Sequence, residues 1–124
     1  LNPAMAVTAD NRVIAYGTMG GDGQPQTQTA VLLRHLAGMS LEEAIAAPRW
    51  LYGRTWGETS SRLRLESRFD PIVAEGLRAL GHDVEVLAEP FSDLMGHAGA
   101  LSLTAEGLVQ GASDPRSDGA FVGL

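Results

Sequence analysis

Cysteine and lysine are both missing from this 124-residue chain. Without cysteine, disulfides and thiolate metal sites are excluded, and no thiol reports a redox compartment. Without lysine, all nine positive side chains are arginines, scattered from Arg12 to Arg116 with no cluster of three. Fifteen acidic residues leave a formal net charge of −6. An acidic chain without a basic cluster is poorly suited to phosphate backbones, which sets nucleic acid aside as a partner. No apolar run approaches the ~20 residues of a membrane helix, and no secretory signal pattern opens the chain. The three histidines, His35, His82 and His97, stand far apart, and no pair has the i, i+4 spacing of a helical metal site. Neither a metal nor another cofactor is expected.

What remains is globular: hydrophobic residues make up 44% and charged residues 19%, which fits one domain with a single modest core. The first residues, Leu1-Asn2-Pro3-Ala4-Met5, lack an initiator methionine and enter an apolar stretch at once. A start inside a longer domain is expected.

Segments Ala4–Thr8 and Arg12–Thr18 flank the turn cluster Ala9-Asp10-Asn11 and read as an antiparallel hairpin. A glycine-rich stretch from Gly17 to Gly23 follows. A first helix then starts near Pro25 with an apolar stripe at Val31, Leu32 and Leu36. Ser40-Leu41-Glu42-Glu43 is a capping box that opens a second helix, with Met39 and Ala44 as a hydrophobic staple; Ala47-Pro48 closes it. Trp50 to Ser61 reads as a loop anchored by Trp50, Tyr52 and Trp56, and Leu63–Glu66 as a strand. A third helix has clear ends, with Asp70 as N-cap, Pro71 first and Gly81 as the stop; Ile72, Val73, Gly76, Leu77 and Leu80 form its expected buried face. Val84–Leu87 is a strand, and Gly99–Thr104 with Leu108–Ala112 a second hairpin. The order ββ-αα-β-α-βββ predicts an α/β (α+β) fold with mostly antiparallel sheet.

The strongest chemical candidate is Gly17-Thr18-Met19-Gly20-Gly21-Asp22-Gly23-Gln24, which leaves a strand and enters a helix. Backbone N–H groups there stand at the positive end of the helix dipole, and glycine lets the backbone approach a ligand closely. Such a loop can hold a phosphate, stabilise an oxyanion in acyl transfer, or be a tight turn with no ligand. The phosphate reading lacks its lysine, and a dinucleotide fingerprint fails on spacing. No Gly-x-Ser-x-Gly elbow occurs. Glu42, Glu43, Glu66 and Glu75 are expected on solvated faces rather than as a glycosidase pair. The histidines and the three aromatic anchors read as structural.

Three ordered segments together resemble the γ-glutamyltransferase family of N-terminal-nucleophile hydrolases. Gly17-Thr18-Met19-Gly20-Gly21 is similar to the family's glycine-pair loop. Met39 to Arg49 resembles its capped helix ending in Ala-Pro-Arg, and Gly111-Ala112-Ser113-Asp114-Pro115-Arg116 its C-terminal turn. The resemblance implies part of a four-layer αββα sandwich built from two subunits made by autocatalytic cleavage. The chain corresponds to the C-terminal part of the small subunit, so residues 1–124 form a single partial domain. The nucleophilic threonine, the serine pair and the other substrate-binding residues would fall outside it. Gly20 and Gly21 would supply the oxyanion hole, with Met19 and Asp22 beside the substrate. Asp114-Pro115-Arg116 would be structural, its arginine fastened by a carboxylate such as Asp118.

Glutathione-cleaving members usually carry proline before the glycine pair and serine after it. Met19 and Asp22 stand there instead, which points to a branch acting on other amides. The implied partners are the rest of the parent enzyme (the large subunit and the N-terminal part of the small subunit) and a small-molecule amide. The segment alone is expected to be inactive and to self-associate, since its sheets would lack strands. A non-catalytic binding or assembly module is the alternative. The compartment stays open, the resemblance leaning towards export.

Overall fold

The computed structural model describes residues 3–55 and 60–123. Leu1, Asn2 and Trp56 lie outside them. The elements run β1 (Ala4–Val7), β2 (Val13–Thr18), α1 (Gly23–Leu36), α2 (Leu41–Ala46), β3 (Trp50–Tyr52), β4 (Leu63–Leu65), α3 (Pro71–Ala79), β5 (Val84–Val86), a 3₁₀ turn (Asp93–Met95), β6 (Ala98–Leu103) and β7 (Val109–Ser113). A four-stranded sheet has the order β1-β2-β6-β7 and is antiparallel throughout. A smaller sheet, β3-β4-β5, pairs β3 and β4 antiparallel and β4 and β5 parallel, with α3 as the crossover. The mixed, mostly antiparallel α+β architecture expected from the sequence is the one observed.

Local chemistry accounts for the element ends. Asn11 takes φ 63° in the first turn, a left-handed conformation that asparagine tolerates. Ser40 Oγ accepts from Glu43 N–H, and Glu43 Oε2 accepts from Ser40 N–H, closing the capping box. Asp70 accepts from Ile72 N–H, Pro71 begins α3, and Gly81 leaves it at φ 94°.

α1 and α2 cover one face of the larger sheet. Val31, Leu41, Ala44 and Ile45 pack there against Ala98 and Ala100, with Tyr16 and Ala112 at the margin. A second cluster joins Leu65, Ala74 and Val84 to Trp50, Leu63, Phe69 and Leu77. The opposite face of the larger sheet is apolar, with Met5, Val7, Leu101, Leu103 and Val109 exposed. A cavity of about 400 Å³ opens on that face beside Leu101 and Phe121.

Three expectations are corrected. Trp50–Tyr52 is a strand rather than loop, because β4 pairs with it residue for residue from Trp50–Leu65 to Tyr52–Leu63; the Tyr52 side chain is exposed rather than a buried anchor. On α1, Val31 is buried but Leu36 is exposed, and the helix instead buries Thr27, Gln28 and Ala30. On α3 only Ala74 is fully buried. Ala74 and Leu77, three residues apart, form the stripe that meets the small sheet. Ile72, Val73 and Leu80 lie on a second apolar stripe that is exposed.

Candidate functional site

β2 ends at Thr18, and α1 begins at Gly23. The four residues between them make a tight, well-braced loop. Gly23 N–H donates to Gly20 O at 2.9 Å, and Gln24 N–H to Gly21 O at 3.2 Å. Asp22 N–H donates to Arg54 O at 3.0 Å, while Arg54 N–H returns to Asp22 Oδ2 at 2.8 Å. Met19 N–H points to His97 O at 3.4 Å, and Met19 O accepts the Thr18 hydroxyl. Neither Gly20 N–H nor Gly21 N–H donates a hydrogen bond among the described residues. Gly20 is half-buried and Gly21 exposed. Two adjacent donors thus have no partner among the described residues, just ahead of the positive end of a 14-residue helix.

Glycine is required at both positions. Gly20 has φ 128° and Gly21 φ 54°, a region side chains rarely enter. A Cβ on Gly20 would stand 3.3 Å from Gly96 Cα, and one on Gly21 only 2.7 Å from Arg54 O. Met19 is half-buried and Asp22 exposed, on either side of the pair. Two buried polar atoms on the flanks, Gln24 Oε1 and Thr55 Oγ1, have no hydrogen-bond partner among the described residues.

Behind the loop lies a buried charge cluster that sequence reading missed. Glu66 was expected on a solvated face, yet its exposure is 0%. Arg116 grips it with two bonds, Nε to Oε1 at 2.7 Å and Nη2 to Oε2 at 2.5 Å. Glu66 also accepts the backbone N–H groups of Arg49 and Ser92 and a bond from Arg68. The second carboxylate is Asp114, held by Arg116 Nη1 at 3.0 Å and Arg49 Nη2 at 2.7 Å. Arg116 is therefore fastened by Glu66 and Asp114 and not by Asp118, because the former two are buried beside it and Asp118 is exposed. Two carboxylates face two fully buried guanidiniums, and these also bond the Ile45, Ala47 and Gly96 carbonyls. Arg68 in turn lies over the Phe91 ring, 3.8 Å from its centroid.

Burial pulls the Arg49 guanidinium down to about 10, against the opposing pull of Asp114, so it is a cation at neutral pH. For Asp114, burial alone would raise the carboxyl. The attraction of Arg49 and the N–H bonds from Ala98 and Arg116 outweigh it and hold the group below its ordinary value. A depressed carboxylate stabilises the fold above its unfolded pKa of ~3.9, and that contribution is lost as pH falls through the lower folded value. The stability gap between wild type and Asp114→Asn is accordingly expected to be full at neutral pH and to narrow below about pH 4. Thermal melts across that range check it; a gap that stays constant to pH 3 contradicts it.

Two of the histidines make local side-chain contacts. His35 Nδ1 meets Met39 O at 2.8 Å, and His97 Nε2 meets Asp93 at 3.3 Å. Among the described residues no group of three or more His, Cys, Asp or Glu could hold a metal, and no helix is long and apolar enough to cross a membrane.

Comparison with known proteins gives consistent matches. The family model described as gamma-glutamyltranspeptidase matches residues 1–124. The oxamate amidohydrolase proenzyme of Klebsiella pneumoniae is 59% identical over 124 residues, covering 99% of this chain and 23% of its own length. The glutathione hydrolase-like YwrD proenzyme of Bacillus subtilis is 49% identical over 125 residues, covering 100% of this chain and 24% of its own length. The chain therefore spans less than a quarter of the curated relatives it matches. Among solved structures, the transpeptidase enzyme CapD of Bacillus anthracis superposes with a TM-score of 0.78 at 23% identity, covering 98% of this chain and 69% of that one. At that identity the likeness speaks for the fold.

Proposed function

From the chain's membership of the γ-glutamyltranspeptidase family, we propose that it is the C-terminal portion of the small subunit of an amidohydrolase and supplies the oxyanion hole. The observation that carries the reading is the pair of N–H groups at Gly20 and Gly21 that have no acceptor among the described residues. The nucleophile, a threonine in this family, would come from the part of the protein that precedes this segment. Its hydroxyl oxygen attacks the amide carbonyl, and the proton passes to its own α-amine. Charge moves onto the carbonyl oxygen, which the two N–H groups receive as it becomes tetrahedral. Collapse breaks the C–N bond, the amine leaves with the proton, and an ester remains. Water attacks the ester through a second oxyanion in the same hole and releases the acid. Met19 and Asp22, which flank the pair, would lie along the edge of the acyl pocket.

The substrate that fits best is a small amide other than glutathione. Met19 and Asp22 replace the residues usual in glutathione-cleaving members, and the 59%-identical relative is named for oxamate. On oxamate the sequence above yields ammonia and oxalate. Purified full-length protein is expected to release ammonia from oxamate with kcat/KM at least about tenfold above that for p-nitroaniline release from γ-glutamyl p-nitroanilide, a margin within what pocket polar contacts supply. A preference for the anilide would overturn the substrate assignment. Turnover of neither would favour the non-catalytic module.

A further inference from the structure

We propose that Gly96 is a positioning residue for the oxyanion loop, and that the buried Arg49–Asp114 pair sets its height. The inference rests on the oxyanion reading given above. Gly96 is buried and left-handed, with φ 72°. A Cβ built on it would stand 1.9 Å from Met19 O, 3.0 Å from Met19 C and 3.1 Å from Thr18 Oγ1. That carbonyl carbon is bonded to the Gly20 nitrogen, so any push on it moves the first of the two loop donors. In the reverse direction, a Cβ built on Gly20 would stand 3.3 Å from Gly96 Cα. The two backbones are in contact with no side chain between them.

Gly96 is itself held from behind. Its carbonyl accepts from Arg49 Nη1 at 3.0 Å, and its N–H donates to Asp93 O at 3.0 Å. Two residues on, Ala98 N–H donates to Asp114 Oδ2 at 2.6 Å, and that oxygen also meets Arg49 Nη2 at 2.7 Å. A continuous path of short contacts thus joins the charge cluster to segment 96–98 and from there to Met19 and Gly20. Arg49 and Asp114 meet this segment at its backbone, at Gly96 O and Ala98 N–H, and so bear on the donors through the main chain.

The test is steady-state kinetics on full-length protein with oxamate, reading kcat and KM separately. Displacing a catalytic group by about 1 Å can cost on the order of 10²-fold in rate. Gly96→Ala is expected to lower kcat by about that factor while KM stays within about threefold. Gly38→Ala is the control: Gly38 also has positive φ (108°) but nothing within 4 Å of an added Cβ, so it carries the backbone strain without the push and should leave kcat unchanged. If Gly96→Ala does not fold, Arg49→Lys decides the matter, since it keeps a cation opposite Asp114 but withdraws the donor from Gly96 O. It should lower kcat about tenfold with KM nearly constant. Normal kcat in a folded Gly96→Ala, or in Arg49→Lys where the first does not fold, overturns the inference. Gly20→Val assayed alongside separates the two levels: an inactive Gly20→Val with a fully active Gly96→Ala sinks the positioning role alone. Full activity in both sinks the oxyanion reading beneath it.

Discussion

Glu66→Leu is expected to destabilise the protein by about 3–5 kcal/mol, the usual cost of removing one partner from a buried ion pair. The size follows from what would be left behind. Glu66 and the Arg116 side chain are both fully buried, and Glu66 takes bonds from Arg116, Arg68 and the Arg49 and Ser92 N–H groups. Without it, Asp114 alone faces two buried guanidiniums, and two backbone N–H groups lose their acceptor. Leucine replaces the volume but none of those bonds. Removing the charge from both sides should relieve most of the penalty, because an apolar pair of similar volume is often neutral. Glu66→Leu with Arg116→Met is therefore expected to melt well above Glu66→Leu alone and above the sum of the single effects. Thermal melts of full-length protein check this, and a single variant as stable as wild type would show that the cluster contributes little.

The second large effect is catalytic. Gly20→Val is expected to lower kcat on oxamate by about 10²–10³-fold, the range measured when one oxyanion donor is lost, or about 2.7–4 kcal/mol of barrier. Valine cannot hold φ 128°, and its Cβ would press on Gly96 at 3.3 Å. The backbone must turn, and the N–H turns with it. KM should change much less, since a ground-state carbonyl draws little on these donors. Melting should be affected only modestly, because Gly20 sits in a partly exposed loop rather than in either core cluster. A folded Gly20→Val with wild-type kcat would remove the loop from the mechanism.

Much of this molecule can be read in its sequence, and the reasons differ by element. Helix ends were legible because caps are local: Ser40 with Glu43, and Asp70 with Pro71, each act within one turn. Hairpins were legible because turn residues such as Asp10-Asn11 and Glu106-Gly107 separate alternating runs. The three-residue strand β3 was not, since aromatic residues in a short run say nothing of pairing until β4 supplies a partner. α3 carries two apolar stripes, and periodicity cannot tell which one a sheet will cover.

For the site, Gly20 and Gly21 stood out through glycine density at a strand-to-helix junction. Gly96 did not, because its constraint is a contact with Met19, 77 positions away along the chain. Glu66 was misplaced for the same reason: its partner Arg116 is 50 residues distant, and a lone glutamate beside a strand looks solvated. One signal pointed towards the cluster. A chain that uses arginine for every cation favours planar, bidentate, buried pairing over the hydrated point charge of lysine.

The most direct measurement is a crystal structure of the full-length protein reacted with a boronic acid isostere of the acyl group, which becomes tetrahedral on the nucleophile. The account predicts one boronate oxygen 2.7–3.1 Å, or about hydrogen-bond length, from both the Gly20 and the Gly21 nitrogen. An adduct whose oxygens all lie beyond about 4 Å from the two nitrogens, outside hydrogen-bond reach, would contradict it.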